Sequence, residues 1–260
     1  MELRKQKEQA HANKLKILLQ NASNQEKAAP NKKFYSVTKG SRDYLERWLM
    51  ERISPSKKFL DYCCGEGQIS IFLAENGVDI TGIDISDVSI KIAKENAIAQ
   101  GLKDKPTFLV MDAENLEFND NTFDIIICSG VLHHLDIQKA YSELARVLKD
   151  NGEIICIEPL AYNPVFQLYR KMTPQLRTEW EREHILTKRE IELAKKYFNN
   201  IEIKFFHFTT LVAVPFRNFS GFNFILEVLE KIDYILLKLP LLKWLAWQIV
   251  FILSEPKVKK

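Results

Sequence analysis

The sequence predicts an α/β fold, a doubly wound and mostly parallel sheet with helices on both faces. Short apolar runs rich in β-branched residues alternate with helix-like stretches from Lys58 to Pro159, the pattern of parallel strands joined by crossover helices. The first four runs end near Asp61, Asp84, Asp112 and Ser129, and ligands of such sheets gather beyond the carboxyl ends of the strands. At 260 residues the chain is long enough to bury one large core.

The elements follow in order. Residues 1–32 are polar, with one apolar patch at Leu15, Ile17, Leu18 and Leu19, and read as an N-terminal arm, helical or flexible. Tyr44, Leu45, Trp48, Leu49 and Ile53 then recur at helical spacing behind Ser41, a side chain suited to cap that helix. Residues 58–63 form the first strand, followed by a glycine turn and a helix-like stretch over 68–77. Residues 78–86 form the second strand, backed by a helical stripe of Val88, Ile90, Ile92, Ala93, Ala97 and Ile98. Strands at 106–113 and 122–130 come next, then a helix over 136–149 stopped by Asp150, Asn151 and Gly152, then a strand closed by Pro159.

After Pro159 the alternation breaks. Residues 160–186 carry Pro164 and Pro174 and read as an irregular cap at the functional edge of the sheet. Helix returns over 187–198 and strand over 201–214. Phe222, Ile225, Leu226, Leu229, Ile232, Leu236 and Leu239 then recur at helical spacing, opposite Glu227, Glu230, Lys231 and Lys238. Asp233, Lys238, Pro240 and Lys243 interrupt this stretch, so it fails the test for a membrane-spanning helix. Residues 246–253 read as a strand buried on both faces. The expected organisation is an arm at 1–32, a core at 33–210, and a helix insertion with the last strand at 211–260.

Composition narrows the function classes. With 46% hydrophobic residues, 27% charged residues and a net charge of +3, nothing argues for a nucleic-acid partner. Cys63, Cys64, Cys128 and Cys156 lack zinc-site spacing and lie in or beside apolar runs. A reduced, cytoplasmic compartment is expected, with no bound metal. The first residues lack the apolar stretch of a secretory signal, so no secretion is expected.

The chemistry concentrates at the strand ends. Gly65 and Gly67 follow Asp61 and let a ligand approach the backbone without a Cβ in the way. Asp84, 17 residues beyond Gly67, stands where a carboxylate accepts hydrogen bonds from both ribose hydroxyls. Asp112 and Ala113 can meet the amino group and face of an adenine. His133 and His134 follow the fourth strand, where an imidazole serves as base or orients an acceptor, or simply packs. Glu158 ends the fifth strand and faces the acceptor or a cap salt bridge, while Arg177, Glu183 and His184 lie in the cap.

Together these segments resemble the class I, Rossmann-like methyltransferases that use S-adenosylmethionine, in particular the branch of small-molecule, quinone and lipid methylases. The resemblance runs from about Phe59 to Pro159 through FLDYCCGEGQIS, GIDIS, MDAENLEF, FDIIICSGVLHHL and LARVLKDNGEIICIEP. It implies a seven-stranded sheet whose last, antiparallel strand slots between the fifth and sixth. It also implies that Asp61 and the loop of Cys63, Gly65 and Gly67 lie against the methionine part of the cofactor, with Cys63 in place of the family's first loop glycine. Asp84, with Ile85 after it, holds the ribose; Asp112 and Ala113 border the adenine; Ser129 lies beside the methionine moiety. Tyr35 falls in a segment that covers the cofactor in this family, where it stacks or contacts the carboxylate, or packs in the core.

The implied reaction moves a methyl group to a small-molecule or lipid-like acceptor and leaves S-adenosylhomocysteine. Two alternatives stand beside it. The spacing Gly65-x-Gly67-x-x-Ser70 also approaches a nicotinamide-dinucleotide fingerprint and an NAD(P)-dependent oxidoreductase, although Asp61 would repel a pyrophosphate. A non-catalytic, cofactor-binding scaffold or regulatory protein is the other. The C-terminal apolar segment, with Trp244, Trp247 and the lysines at 257–260, packs on the core, lines an acceptor pocket, forms a homodimer interface or touches a membrane peripherally.

Overall fold

Period-two burial organises the molecule. A computed structural model describes residues 2–21, 30–102 and 104–257 of the chain. Its sheet holds β1 (Lys58–Tyr62), β2 (Asp79–Asp84), β3 (Thr107–Val110), β4 (Phe123–Ser129), β5 (Leu148–Pro159), β6 (Phe198–Phe206) and β7 (Gln248–Pro256) in the order β3-β2-β1-β4-β5-β7-β6. The first five are parallel, and β7 runs antiparallel between β5 and β6. Strand order reverses between β1 and β4, the place where a doubly wound sheet opens a crevice.

Successive residues face opposite layers. Phe59, Ile125, Ile127, Ile155, Val250 and Ile252 bury against Leu45, Trp48 and Leu49 of α2 (Lys39–Met50) and Leu73 of α3 (Gln68–Glu75). Leu60, Tyr62, Ile126, Cys128, Ile154 and Phe251 face the other way, against Tyr141 and Leu144 of α5 (Ile137–Val147) and Ile191 of α8 (Lys188–Leu193). Next to the β2–β3 edge, α4 (Asp87–Ala99) packs Ile90, Ala93 and Ala97 on Phe108, with Ser86 capping its first turn through the Ser89 N–H.

Several boundaries differ from the sequence-based expectation. The cap of α2 is Thr38; Ser41 is buried one turn in, where its hydroxyl bonds the Thr38 carbonyl and Gln248. The helix at 136–149 ends at Val147, because Leu148 already pairs with Phe123 and opens β5. The cap is not irregular. It folds as α6 (Pro164–Met172), started by an Asn163 cap, and α7 (Glu179–Glu183), started by a Thr178–Glu181 capping box. The helix expected over 187–198 is cut to α8 and a 3-10 turn, with Phe198 already in β6.

The strand expected over 201–214 stops at Phe206. His207 turns to φ +64°, and Thr210–Phe216 wind into a 3-10 helix. Asp233 of α9 (Phe222–Leu236) fixes that turn: its buried carboxylate accepts the N–H groups of Phe208, Thr209 and Thr210.

The arm supplies the largest surprise. Residues Leu3–Asn21 form one helix, α1, that lies against the carboxyl edge of the sheet. Of its apolar patch, Leu15 is half-buried, Ile17 and Leu18 are exposed, and the Leu19 side chain lies outside the described residues. Lys259 and Lys260 of the terminal run, counted toward membrane contact, also lie outside them.

Candidate active site

The loop after β1 makes a left-handed path through Cys63 (φ 59°), Gly65 (φ 54°) and Gly67 (φ 76°). Cys63 adopts the positive φ that favours glycine, a strain of roughly 1–2 kcal/mol for a residue with a Cβ. The loop thus keeps a glycine-like course at that position. The two glycines differ. A Cβ at Gly67 would stand 2.6 Å from Phe108, whereas one at Gly65 would meet nothing within 4 Å, leaving space above the loop. The Cys64 N–H donates to the Ile83 carbonyl at 2.8 Å, tying the loop to β2.

Three acids lie around this loop. Asp61 is buried, and its carboxylate accepts the Ser70 hydroxyl at 2.7 Å. Burial pushes its pKa up to about 6, against the pull of Ser70 and with a further push from Asp84. Asp84 accepts the Gly65 N–H at 3.0 Å and the Ser86 N–H at 2.8 Å, one on each oxygen. Burial raises its pKa, and the two N–H groups oppose that rise. Asp112 accepts the Glu114 N–H at 2.9 Å and Lys5 at 2.7 Å. Ala113 is buried beside it, its carbonyl bonded by the Tyr62 hydroxyl.

Beyond β4 stands a histidine–glutamate pair. Glu158 is buried and accepts the Val131 and Leu132 N–H groups on one oxygen, at 2.7 and 2.8 Å. Its other oxygen meets His133 Nδ1 at 2.7 Å. An ionised carboxylate only accepts, so Nδ1 carries a proton, and in the neutral form of the ring Nε2 is the acceptor. His134 stacks obliquely on His133, ring centres 4.2 Å apart, and its Nδ1 lies 3.2 Å from Glu8 and 3.4 Å from Glu181. Burial alone would lower the His134 pKa, but those carboxylates raise it. Among the described residues, His133, His134 and Glu181 form the one group whose ligand atoms, all within 4.8 Å, could hold a metal ion.

Polar groups of α1 close over this edge. Lys5 bridges Asp112 and Glu114, and Arg4 pairs with Glu114 while donating to the His134 carbonyl. Gln9 donates to the Ile85 carbonyl at 2.7 Å, Asn13 bonds Ser86 and Asp87, and Lys16 reaches Glu66 at 3.0 Å. Every one of these partners lies on or next to a strand end singled out in the sequence.

Comparison with known proteins is consistent with this layout. Residues 60–156 match the family described as the methyltransferase domain. This segment is a methyltransferase domain. Over 125 residues the chain is 36% identical to phosphoethanolamine N-methyltransferase 3 of Arabidopsis thaliana, covering 46% of this chain and 25% of that protein. Over 121 residues it is 35% identical to the ubiquinone/menaquinone biosynthesis C-methyltransferase of Brucella canis, covering 45% of each. The chain therefore spans from a quarter to less than half of the relatives it matches. Among solved structures, the geranyl diphosphate C-methyltransferase of Streptomyces coelicolor A3(2) superposes with a TM-score of 0.59 at 15% identity, over 90% of this chain and 85% of that one. The [4+2]-cyclase SpnF superposes with a TM-score of 0.54 at 22% identity, over 82% of this chain and 81% of that one. These likenesses show the shared fold.

Within the methyltransferase domain, Asp61, Cys63, Gly65, Gly67, Asp84, Ile85, Asp112, Ala113 and Ser129 come to the carboxyl edge of four strands, with His133 and His134 just past β4. Ser129 is exposed there. Tyr35 lies in the 3-10 helix Pro30–Val37, 57% exposed, while its neighbour Phe34 packs on Phe166, Tyr169 and Trp247. In the cap, Arg177 is buried and bonds Thr173, Glu183 is exposed, and His184 stacks on Trp180. Arg4, Lys5, Glu8, Gln9, Asn13 and Lys16 went unforeseen. Their signal is a polar stripe at helical spacing in a stretch read as solvated.

Proposed function

We propose that the chain transfers a methyl group from S-adenosylmethionine to a small-molecule or lipid-like acceptor. The observation that carries this reading is the delivery of Asp61, Asp84 and Asp112 to one edge around a left-handed glycine loop. The residues fit the cofactor: the space above Gly65 admits a ligand, and two N–H groups aim the Asp84 carboxylate while leaving it lone pairs for ribose hydroxyls. Asp61, covered by Ser70, acts as a negative charge beneath the loop, where a cationic donor is attracted and a pyrophosphate repelled. When bound, the cofactor supplies a sulfonium-activated methyl group.

Much of the chain's own contribution is alignment, which needs no metal. His133 Nε2 accepts the acceptor's proton where the acceptor is a hydroxyl or another weak acid. Glu158 is a positioning residue: it fixes the Nδ1–H tautomer and stabilises the imidazolium that forms. Glu158→Gln and His133→Gln are each expected to lower kcat by about 10²–10⁴ with the cofactor KM unchanged. Unchanged turnover in both would remove the base. The phosphoethanolamine and quinone methylases among its relatives support an acceptor of that size. The four free cysteines support action in the reducing cytoplasm. Incubation with methyl-labelled cofactor and a metabolite and lipid extract is expected to give a labelled product. Cofactor binding with no labelled product from the whole extract would leave a binding protein instead.

A further inference from the structure

We infer that the outward face of α9, with the aromatic turn before it, docks on a membrane surface bearing anionic headgroups. The helix carries two apolar faces where the sequence suggested one. Leu226 is buried with Phe222, Ile225 and Leu229 against Phe34, Leu211, Val214 and Trp247. Phe224, Val228, Ile232 and Ile235 form a second stripe at spacings of four, four and three, followed past the helix end by Leu239, and every one is exposed. At 100° per residue this stripe occupies a separate arc beside the buried one. Ile232, which periodicity alone assigns to the packed face, belongs to it.

The elements that flank or share a core with the helix also expose apolar side chains. Phe216 and Phe219 in the turn before α9 and Leu241 after it are exposed, at 49%, 61% and 87%. Leu168 and Met172 of α6, which shares its buried core with α9, are exposed at 60% and 72%. Isolated exposed apolar residues need no explanation, whereas a set this large on one cap calls for a partner. No described helix is long and apolar enough to cross a membrane, so the contact lies in the interface plane.

Charge selects the occupant. Lys231 borders the exposed stripe on the helix wheel, Lys238 follows in the turn past the helix end, and Lys171, Arg217 and Lys243 sit on the elements around it. Glu227 is the exposed acid of α9; Glu230 is half-buried, and Asp233 is buried and committed to three N–H groups. Phenylalanines flanked by cations suit an apolar layer beneath negative headgroups. The position also has a use. The cap packs on Trp247, beside the start of β7 and next to the ends of β5 and β6, on the edge that carries the candidate site. A docked cap holds that edge near the lipid.

Flotation of the full chain with vesicles of phosphatidylcholine alone, and of phosphatidylcholine mixed with phosphatidylglycerol, tests the inference. Binding is expected to the mixed vesicles, to weaken in high salt, and to fall at least about tenfold in Phe224→Glu/Ile235→Glu. Phe219→Glu/Leu241→Glu, outside the helix, repeats the test should the first variant fold poorly. A protein that stays with neither vesicle overturns the inference. So does a lipid-free dimer, seen by sedimentation, that the same substitutions dissociate, because the face then belongs to a second copy of the chain.

Discussion

Two helices, α1 and α9, cover the same edge of the sheet by opposite means. Among its described side chains α1 buries none completely, and it is held by lysine, arginine and amide contacts to Asp112, Glu114, Ile85, Ser86 and Glu66. α9 is held by Leu226 and its neighbours in an apolar cluster, and by a buried aspartate satisfied on its backbone partners. Ion pairs contribute little each, the exposed ones because salt and water screen them and the largely buried ones of Arg4 and Lys5 with Glu114 because burial costs their hydration. Apolar burial contributes in proportion to the area removed from water. The contrast teaches that α9 is part of the fold and α1 is a cover the fold can release. A cover clamped on Asp112 and Ile85 has to shift when a nucleoside takes those groups.

The largest expected effect separates the two helices outright. Leu226→Asp places a charge in an apolar cluster and is expected to cost about 3–5 kcal/mol in urea unfolding. Removal of residues 2–21 is expected to cost less than about 1 kcal/mol. Equal losses would erase the distinction.

Asp61 lies between these extremes, polar like the contacts of α1 and buried like those of α9. Its folded pKa of about 6 lies above its ordinary 3.8. Stability from the protonated form is therefore complete below pH 3.8 and is lost as pH rises through 6. Asp61→Asn is expected to gain about 1–3 kcal/mol at pH 8 and to weaken binding of the cationic cofactor. A variant that loses stability at pH 8 would mean that the ionised carboxylate helps hold the loop.

The smallest effect concerns the clamp itself. Glu8 is held below its ordinary pKa of 4.5: burial opposes this, and His134 outweighs it. His134 is held above 6.5. Their attraction is complete between those ordinary values. It is lost as pH rises through the His134 value, and again as pH falls through the Glu8 value. Hydrogen exchange of α1, corrected for intrinsic rates, is expected to rise modestly from pH 6.5 to 9 and in high salt, by no more than about 1 kcal/mol of protection. Exchange insensitive to both would place the hold on α1 elsewhere.

How much was legible follows the same division. The strands and their helices announce themselves because alternation and helical stripes record apolar burial, and the strand-end acids follow from where the strands stop. Polar docking leaves no such record. The stripe from Arg4 to Lys16 looks like a solvated face until the acids opposite it are placed in space. The Glu158–His133 pair joins residues 25 apart in sequence across two neighbouring strands, so only the sheet order brings them together. The strand expected beyond Phe206 fails for a similar reason, because Asp233, a residue of α9, bends it into a turn.

The central claim is that the carboxyl edge around Asp61, Asp84 and Asp112 binds S-adenosylmethionine. Calorimetry with S-adenosylhomocysteine, set beside NAD, tests it most directly on the intact chain and on Asp84→Asn. The account predicts binding of S-adenosylhomocysteine, weakened at least about tenfold in the variant, and no binding of NAD. Binding of NAD in its place, or S-adenosylhomocysteine affinity indifferent to Asp84, would contradict it.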